Sequence, residues 1–449
     1  MLTDCRGCPV SATDRAEVEE HDAALELFLN YENSAGGVVK QVLVDHPSSV
    51  MTLVLRGAML MMLEASALHP KVSALVTATA DSADHANERE RGHLRALGQW
   101  AAGDIRAATR EWDLLLAAEP TDLLALKLHH YTTFWTGRAG ALLGTVDGVI
   151  DAWDQTTPGV DHVLGMRSFA LNENGRYEAA EAIGREAVAA NPEDLWSIHA
   201  VAHALEMQGA GPRGDAFFDE LVAERPDRWA TKNPFLGHIW WHAALFPWDA
   251  GRYDRVLQLY DERLRPASTD FYLDIQNLSS LLTRLELAGV DVGDRWDELG
   301  EHAAARVGDH VLDFTDVHCA LTLARTGRLD DLDRFVASLA DRLAGLPEGL
   351  GQQGPAMALA VADALAAAGR GDHAGAADRL AAIRHDLAPI GGSHAQRDLF
   401  DLLLADEMLQ AERFEVALGL LRARARRWPD SVPTQHKLGQ AVAGATAAA

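Results

Sequence analysis

Ala- and Leu-rich stretches broken by small or polar turns set the pattern of this chain, with few β-branched runs between them. That pattern favours helix over sheet. One phrase recurs: a small or polar turn, a basic, acidic or aromatic residue, an Ala-rich helix, then Pro. Gly103 is followed 17 residues later by Pro120, and the same offset joins Gly175 to Pro192, Gly209 to Pro226 and Glu412 to Pro429. A Gly there suits a left-handed turn that closes one helix. A Pro beyond the next helix marks where it cannot continue. Between them lies a helix with Ala at its tight contacts, as in Arg176-Tyr177-Glu178-Ala179-Ala180.

Weaker copies of the turn stand at Gly137, Gly251, Gly289, Gly327 and Gly371. The steps from Gly103 are therefore 34, 38, 34, 42, 38, 38, 44 and 41 residues. A period near 34 belongs to the tetratricopeptide repeat, a helix–turn–helix unit. The sequence predicts an all-α fold, a TPR-like right-handed superhelical solenoid of antiparallel helix pairs. Residues 1–85 are helical in pattern without a clean copy and are expected to form an N-terminal helical cap. Residues 86–449 are expected to hold about nine helix pairs in one continuous solenoid. Loops are expected at Arg265–Asp274 and Leu343–Pro355, where Pro and Gly gather.

Charge narrows the partners. A formal net charge of −26 over 449 residues repels phosphate backbones and anionic lipid, so neither nucleic-acid nor membrane binding is expected. The N-terminus carries Asp4 and Arg6 without an apolar core, unlike a signal peptide. The most apolar run, Met51–Leu63, contains Arg56 and is closed by Glu64, too short and too charged for a bilayer. A cytoplasmic protein is expected. Cys5, Cys8 and Cys319 are too few for a disulfide framework. Cys5 and Cys8 form a CxxC with no second ligand pair, and read as free thiols rather than a zinc or redox site.

The turn Gly is position 15 of each repeat, which fixes a register. In this fold first-helix positions 2, 5, 9 and 12 point into a concave groove, with 6 and 13 alongside. Counting back from Gly209 puts His199 at 5, His203 at 9 and Glu206 at 12. Gly251 puts His238 at 2 and His242 at 6, Gly175 puts His162 at 2, and Gly327 puts His318 at 6 and Asp316 at 4. His129 and His130 fall on packing positions 7 and 8. His199 and His203 are one turn apart on one helix, as are His238 and His242 on the next first helix. Together they offer four imidazoles, good ligands for zinc or iron. Glu206, or Asp316 beside His318, is the candidate general base or orienting carboxylate.

Two metal motifs are excluded. The residues after His199 are Ala-Val-Ala, not the Glu of an HExxH protease. His203-x-x-Glu206 is single and reversed relative to the Glu-x-x-His pairs of a di-iron bundle. The same histidines could instead hydrogen-bond an organic ligand, or satisfy neighbouring carboxylates. Trp240, Trp241, Phe246 and Trp248 crowd the second His pair. They read as core between repeats or as the apolar wall of a pocket, with Trp241 the candidate lining residue. In GGSHAQRDLF, Ser393 is a natural N-cap and Arg397 a candidate anion contact, unless it pairs with Asp398. No nucleotide-binding loop and no GxSxG is present.

SIHAVAHALEMQG, GHIWWHAAL, FTDVHCAL, GGSHAQRDLF and PTDLLALKLHHYTTFWTG, in these repeats, resemble the tetratricopeptide repeat protein thirty-eight family over nearly the whole chain. That family is found in bacteria and animals, and the resemblance implies a bacterial member. It implies the TPR-like fold and motif positions at His130, His199, His203, Glu206, His238, His242, Asp316, His318 and Arg397, but no reaction. The family pattern has Asn where this chain has His394, which leaves His394 outside the expected site.

The expectation is a binding protein whose concave groove takes a small molecule or peptide terminus. His199, His203, His238 and His242 would hold a divalent transition metal, zinc or iron. His130, His162, Trp241, His318 and Arg397 would line the pocket. The alternatives are a metal-dependent hydrolytic or oxidative enzyme, with Glu206 or Asp316 moving protons, and a protein-interaction scaffold without metal.

Overall fold

The computed structural model describes residues 2–82, 84–224, 227, 229–265, 269–347 and 349–448. Its first elements are a short hairpin, Leu2–Thr3 against Pro9–Val10, and the helices Arg15–Leu29, Ala35–Asp45, Val50–Met61 and His69–Ser82. Helix pairs follow. The first helices are Glu88–Ala101, Leu123–Trp135, Val160–Glu173, Leu195–Met207, Phe235–Asp249, Tyr272–Leu287, Asp313–Arg325, Gln353–Gly369 and His394–Gln410. Each is followed by a second helix, the last being Phe414–Arg427, and Val432–Ala448 comes after it. The fold is all-α and TPR-like.

The turns follow the register. Gly103, Gly137, Gly175, Gly209, Gly251, Gly289, Gly327 and Gly371 all have positive φ, between +66° and +85°. Glu412 takes the same role at +58° without glycine's freedom. Pro120, Pro192 and Pro429 each follow the end of a second helix, at Ala118, Ala190 and Arg427. Pro226, expected to do the same, lies outside the described residues. So do residues 266–268 of the loop expected at Arg265–Asp274, after which a helix begins at Tyr272. The loop expected at Leu343–Pro355 is shorter, because helix runs to Gly345 and resumes by Gln353; Glu348 within it lies outside the described residues.

The two helices of a pair differ in burial. Leu329–Gly345, a second helix, buries Leu332, Phe335 and Leu339, the single stripe of a helix with one face in solvent. Tyr272–Leu287, a first helix, buries every residue except Glu286. A helix buried all round needs partners for its polar groups, and the candidate site lies on helices of this kind.

Contacts divide the chain into two compact units. The first comprises Met1–Phe134, Arg138–Val201 and Pro226–Leu236; the second comprises Trp135–Gly137, Ala202–Arg225 and Gly237–Ala449. The division falls inside the Leu195–Met207 helix. In the first unit the N-terminal segment docks onto the repeats. Asn33 N–H donates to Thr231 O at 2.8 Å and Asn233 N–H to Tyr31 O at 2.7 Å. Arg89 is held by Asp122 at 2.6 Å and Asp4 at 3.3 Å. Cys5 and Cys8 are free thiols. Burial pushes their pKa values up to about 11 and about 12, so neither is a reactive thiolate at neutral pH.

In the second unit the repeat containing Trp428 folds back on the start of that unit. Trp428 Nε1–H donates to Glu206 O at 3.0 Å, and Arg284 Nη2 donates to Ala395 O at 3.1 Å. Among the described residues no helix is long and apolar enough to cross a membrane.

Candidate metal centre

Parts of three first helices that lie in the second unit build the site. Leu195–Met207 supplies His203 and Glu206, Phe235–Asp249 supplies His238 and His242, and Tyr272–Leu287 supplies Asn277 and Arg284. Four-residue spacing stacks His238 and His242 on one side of their helix. Gly214 lets the Phe235–Asp249 helix come close, since a Cβ there would sit 2.2 Å from the Phe246 ring. His203, His238 and His242 are 0%, 3% and 0% exposed. The His203 and His242 ring centroids are 4.2 Å apart, and those of His238 and His242 4.8 Å. One nitrogen from each of the three lies within 4.8 Å of the others. Trp241 stacks on His238 at 5.4 Å and meets His242 edge-on at 4.7 Å.

Two rings are held by their Nδ1 atoms. His238 Nδ1 lies 2.7 Å from Asn277 Oδ1, an acceptor, so it carries the hydrogen. His242 Nδ1 lies 3.2 Å from Glu206 Oε2. With its hydrogen on Nδ1, the His238 ring carries its remaining lone pair on Nε2. Burial holds the imidazoles neutral. It pushes His238 down to about 4, and places His203 and His242 well below the usual histidine range, with neighbouring histidines adding to the effect. Neutral imidazole is the ligand form. Burial, opposed by the Arg284 guanidinium, pushes Glu206 up to about 8. Glu206 and His242 can therefore share a proton across their contact.

The remaining sequence candidates meet other groups. In the first unit the His199 ring stacks on Phe169 at 5.3 Å and touches Trp196 and Phe235. His130 is buried edge-on to Phe169 and Trp196, in keeping with its packing register. His162 is engaged by carboxylates rather than lining a pocket. Asp194 lies 3.3 Å from it and Glu26 3.5 Å. These carboxylates outweigh burial and push its pKa up to about 10.

In the second unit His318 Nδ1 donates to Phe314 O at 2.8 Å. Asp316 meets His310 at 3.1 Å and Arg342 at 3.5 Å, not the histidine cluster. Arg397 donates to the carbonyls of Gly391 and Gly392, so backbone oxygens engage its guanidinium. Its expected partner Asp398 pairs with Arg424. Ser393 is an N-cap, in a capping box with Gln396.

Sequence reasoning missed Asn277, Arg284 and His394. Arg284, in LLTRLEL, is 1% exposed and lies over the Trp241 ring at 5.4 Å. His394, set aside for departing from the family pattern, is close enough to His203 to lower its pKa.

No family model matches the chain, so the resemblance to the thirty-eight family rests on the quoted motifs alone. Similar solved structures are helical-repeat proteins. A tetratricopeptide repeat protein from Parabacteroides merdae is 14% identical, matching 69% of this chain and 100% of its own with a TM-score of 0.38. The human IFIT1 dimer with m7Gppp-AAAA is 12% identical over 97% and 96% of the two chains, with a TM-score of 0.42. Yeast Tom70 is 12% identical over 97% and 96%, with a TM-score of 0.28. Likenesses at this level say nothing of what this chain binds.

Proposed function

We propose that this chain is a helical-repeat protein that holds a divalent transition metal, zinc or iron, through His203, His238 and His242. The convergence of neutral, buried imidazoles within 4.8 Å, two of them held by Nδ1, supports this reading. A tetrahedral zinc at about 2.0–2.1 Å from each nitrogen needs N···N separations of about 3.4 Å. The rings would have to draw in by up to about 1.4 Å, a shift within side-chain rotation. Three histidines leave a fourth tetrahedral position, and octahedral iron would leave more, for a small-molecule ligand. In the enzyme alternative, Glu206 is the carboxyl beside a ligand. The quoted motifs make the thirty-eight family the proposed kin.

Metal analysis of protein purified without an affinity tag tests the reading. A stoichiometric metal is expected, lost in a His203→Ala/His242→Ala variant, and its chelation should lower the unfolding midpoint. Protein without metal, whose stability ignores both chelator and added zinc or iron, would overturn it. Asn277→Ala is expected to weaken metal affinity about 10- to 100-fold while leaving all three ligands in place.

A further inference from the structure

We propose that Ser338, His310 and Asp316, in the second unit, form an acyl-transfer site that acts on activated carboxylic esters. The site shares no residue with the histidine centre and does not depend on it.

His310 lies between the helices Asp297–Ala305 and Asp313–Arg325. Its Nδ1 is 3.1 Å from Asp316 Oδ1 and its Nε2 is 2.7 Å from Ser338 Oγ. A carboxylate accepts, so Nδ1 carries the hydrogen. The Nε2 lone pair is then aimed at the serine hydroxyl, which donates to it. That is the connectivity of an activated nucleophile: hydroxyl to base, base to orienting carboxylate. Asp316 is itself steadied by Arg342, 3.5 Å from its other oxygen.

Two further observations separate this from a simple lashing of turn to helix. His310 has φ +44°, a left-handed conformation that an L residue adopts at a cost of about 1–2 kcal/mol. Its ring is wedged edge-on against Phe335 at 5.2 Å, and its side chain is 6% exposed. Strained residues held this firmly gather at working sites. Gly308, at φ +89°, passes beside the hydroxyl; a Cβ there would come 3.9 Å from Ser338 Oγ. Ser338 is part-exposed on Leu329–Gly345, beside exposed Ala337.

The step balances with ester and water alone. Ser338 Oγ bonds to the carbonyl carbon while its proton passes to His310 Nε2. The carbon–oxygen bond to the leaving group breaks, and that oxygen takes the proton. Water then attacks the acyl-serine, with His310 again receiving and returning the proton, to release a carboxylic acid. General-base help of this kind is worth about 10²- to 10⁴-fold. That suits esters with good leaving groups.

A fluorophosphonate probe, which loses fluoride on forming a P–O bond to an activated serine, tests the site in the full chain. Peptide mass analysis is expected to place the label on Ser338, and Ser338→Ala to abolish it. His310→Ala should slow labelling at least 100-fold, and added imidazole should restore part of the rate. Asp316 acts through His310 as a positioning residue, so Asp316→Asn should slow labelling and Asp316→Glu restore much of it. Wild-type protein left unlabelled at Ser338, or a His310→Ala protein labelled as fast as wild type, would overturn the proposal.

Discussion

At the scale of single residues, strain and partnership separate roles that spacing leaves together. Glu412 fills a turn position that is glycine in the eight preceding pairs, at φ +58° with its side chain in solvent. The left-handed conformation costs an L residue about 1–2 kcal/mol, against about 0.5–1 kcal/mol for glycine's extra freedom when unfolded. Glu412→Gly is therefore expected to stabilise the protein by about 0.5–1 kcal/mol, read as a higher denaturant midpoint at unchanged slope. The histidine pairs were legible because four-residue spacing is a local property of a helix. Asn277 and Arg284 were not. Their helix presents almost all of its surface to other elements, so no register position marks which side faces the histidines. His162 shows the converse. It sits at a favoured position, yet Asp194, just before the Leu195–Met207 helix, and Glu26, on Arg15–Leu29, claim it.

At the scale of elements, the Gly-to-Pro offset carried the helix pairs and their turns, because each of its two residues acts on the backbone directly. Burial was less legible. An Ala-rich helix reads the same whether one face or all faces are covered, and only the structure shows the first helices enclosed. Close approach is what Gly214 serves. Replacing it by Ala would gain about 0.8–1 kcal/mol of helix propensity. The added methyl, however, would meet the Phe246 ring at 2.2 Å, and overpacking of this sort costs about 1–3 kcal/mol. Packing wins, so Gly214→Ala should lower stability despite the better helix former. It should also loosen the histidine-bearing helix, read as faster amide exchange along Phe235–Asp249.

At the scale of the whole molecule, buried histidines set the pH range of stability. Burial pushes His21 down to about 3 and His318 down to about 4. Below the ordinary histidine value of about 6.5 the unfolded chain takes protons that the folded chain refuses, so each group removes about 1.4 kcal/mol per pH unit as pH falls towards its folded value. His162 acts on the other side. Its folded pKa of about 10 exceeds the unfolded value, so its contribution is complete below about pH 6.5 and is lost as pH rises towards 10. Stability from these groups is expected to peak near neutrality. Urea midpoints at several pH values should fall away on both sides, and His162→Gln should flatten the alkaline limb alone.

The bond from Trp428 to the carbonyl of Glu206 spans 222 residues. An open repeat array can be shortened from one end, or begun during synthesis, with little effect on what is already folded. This contact denies the second unit that freedom. Its opening helix lacks one wall until the last pair arrives, an interval of about 10–40 s at about 5–20 residues per second on the ribosome. For that time the histidine-bearing helices present apolar surface to any chaperone or neighbouring chain.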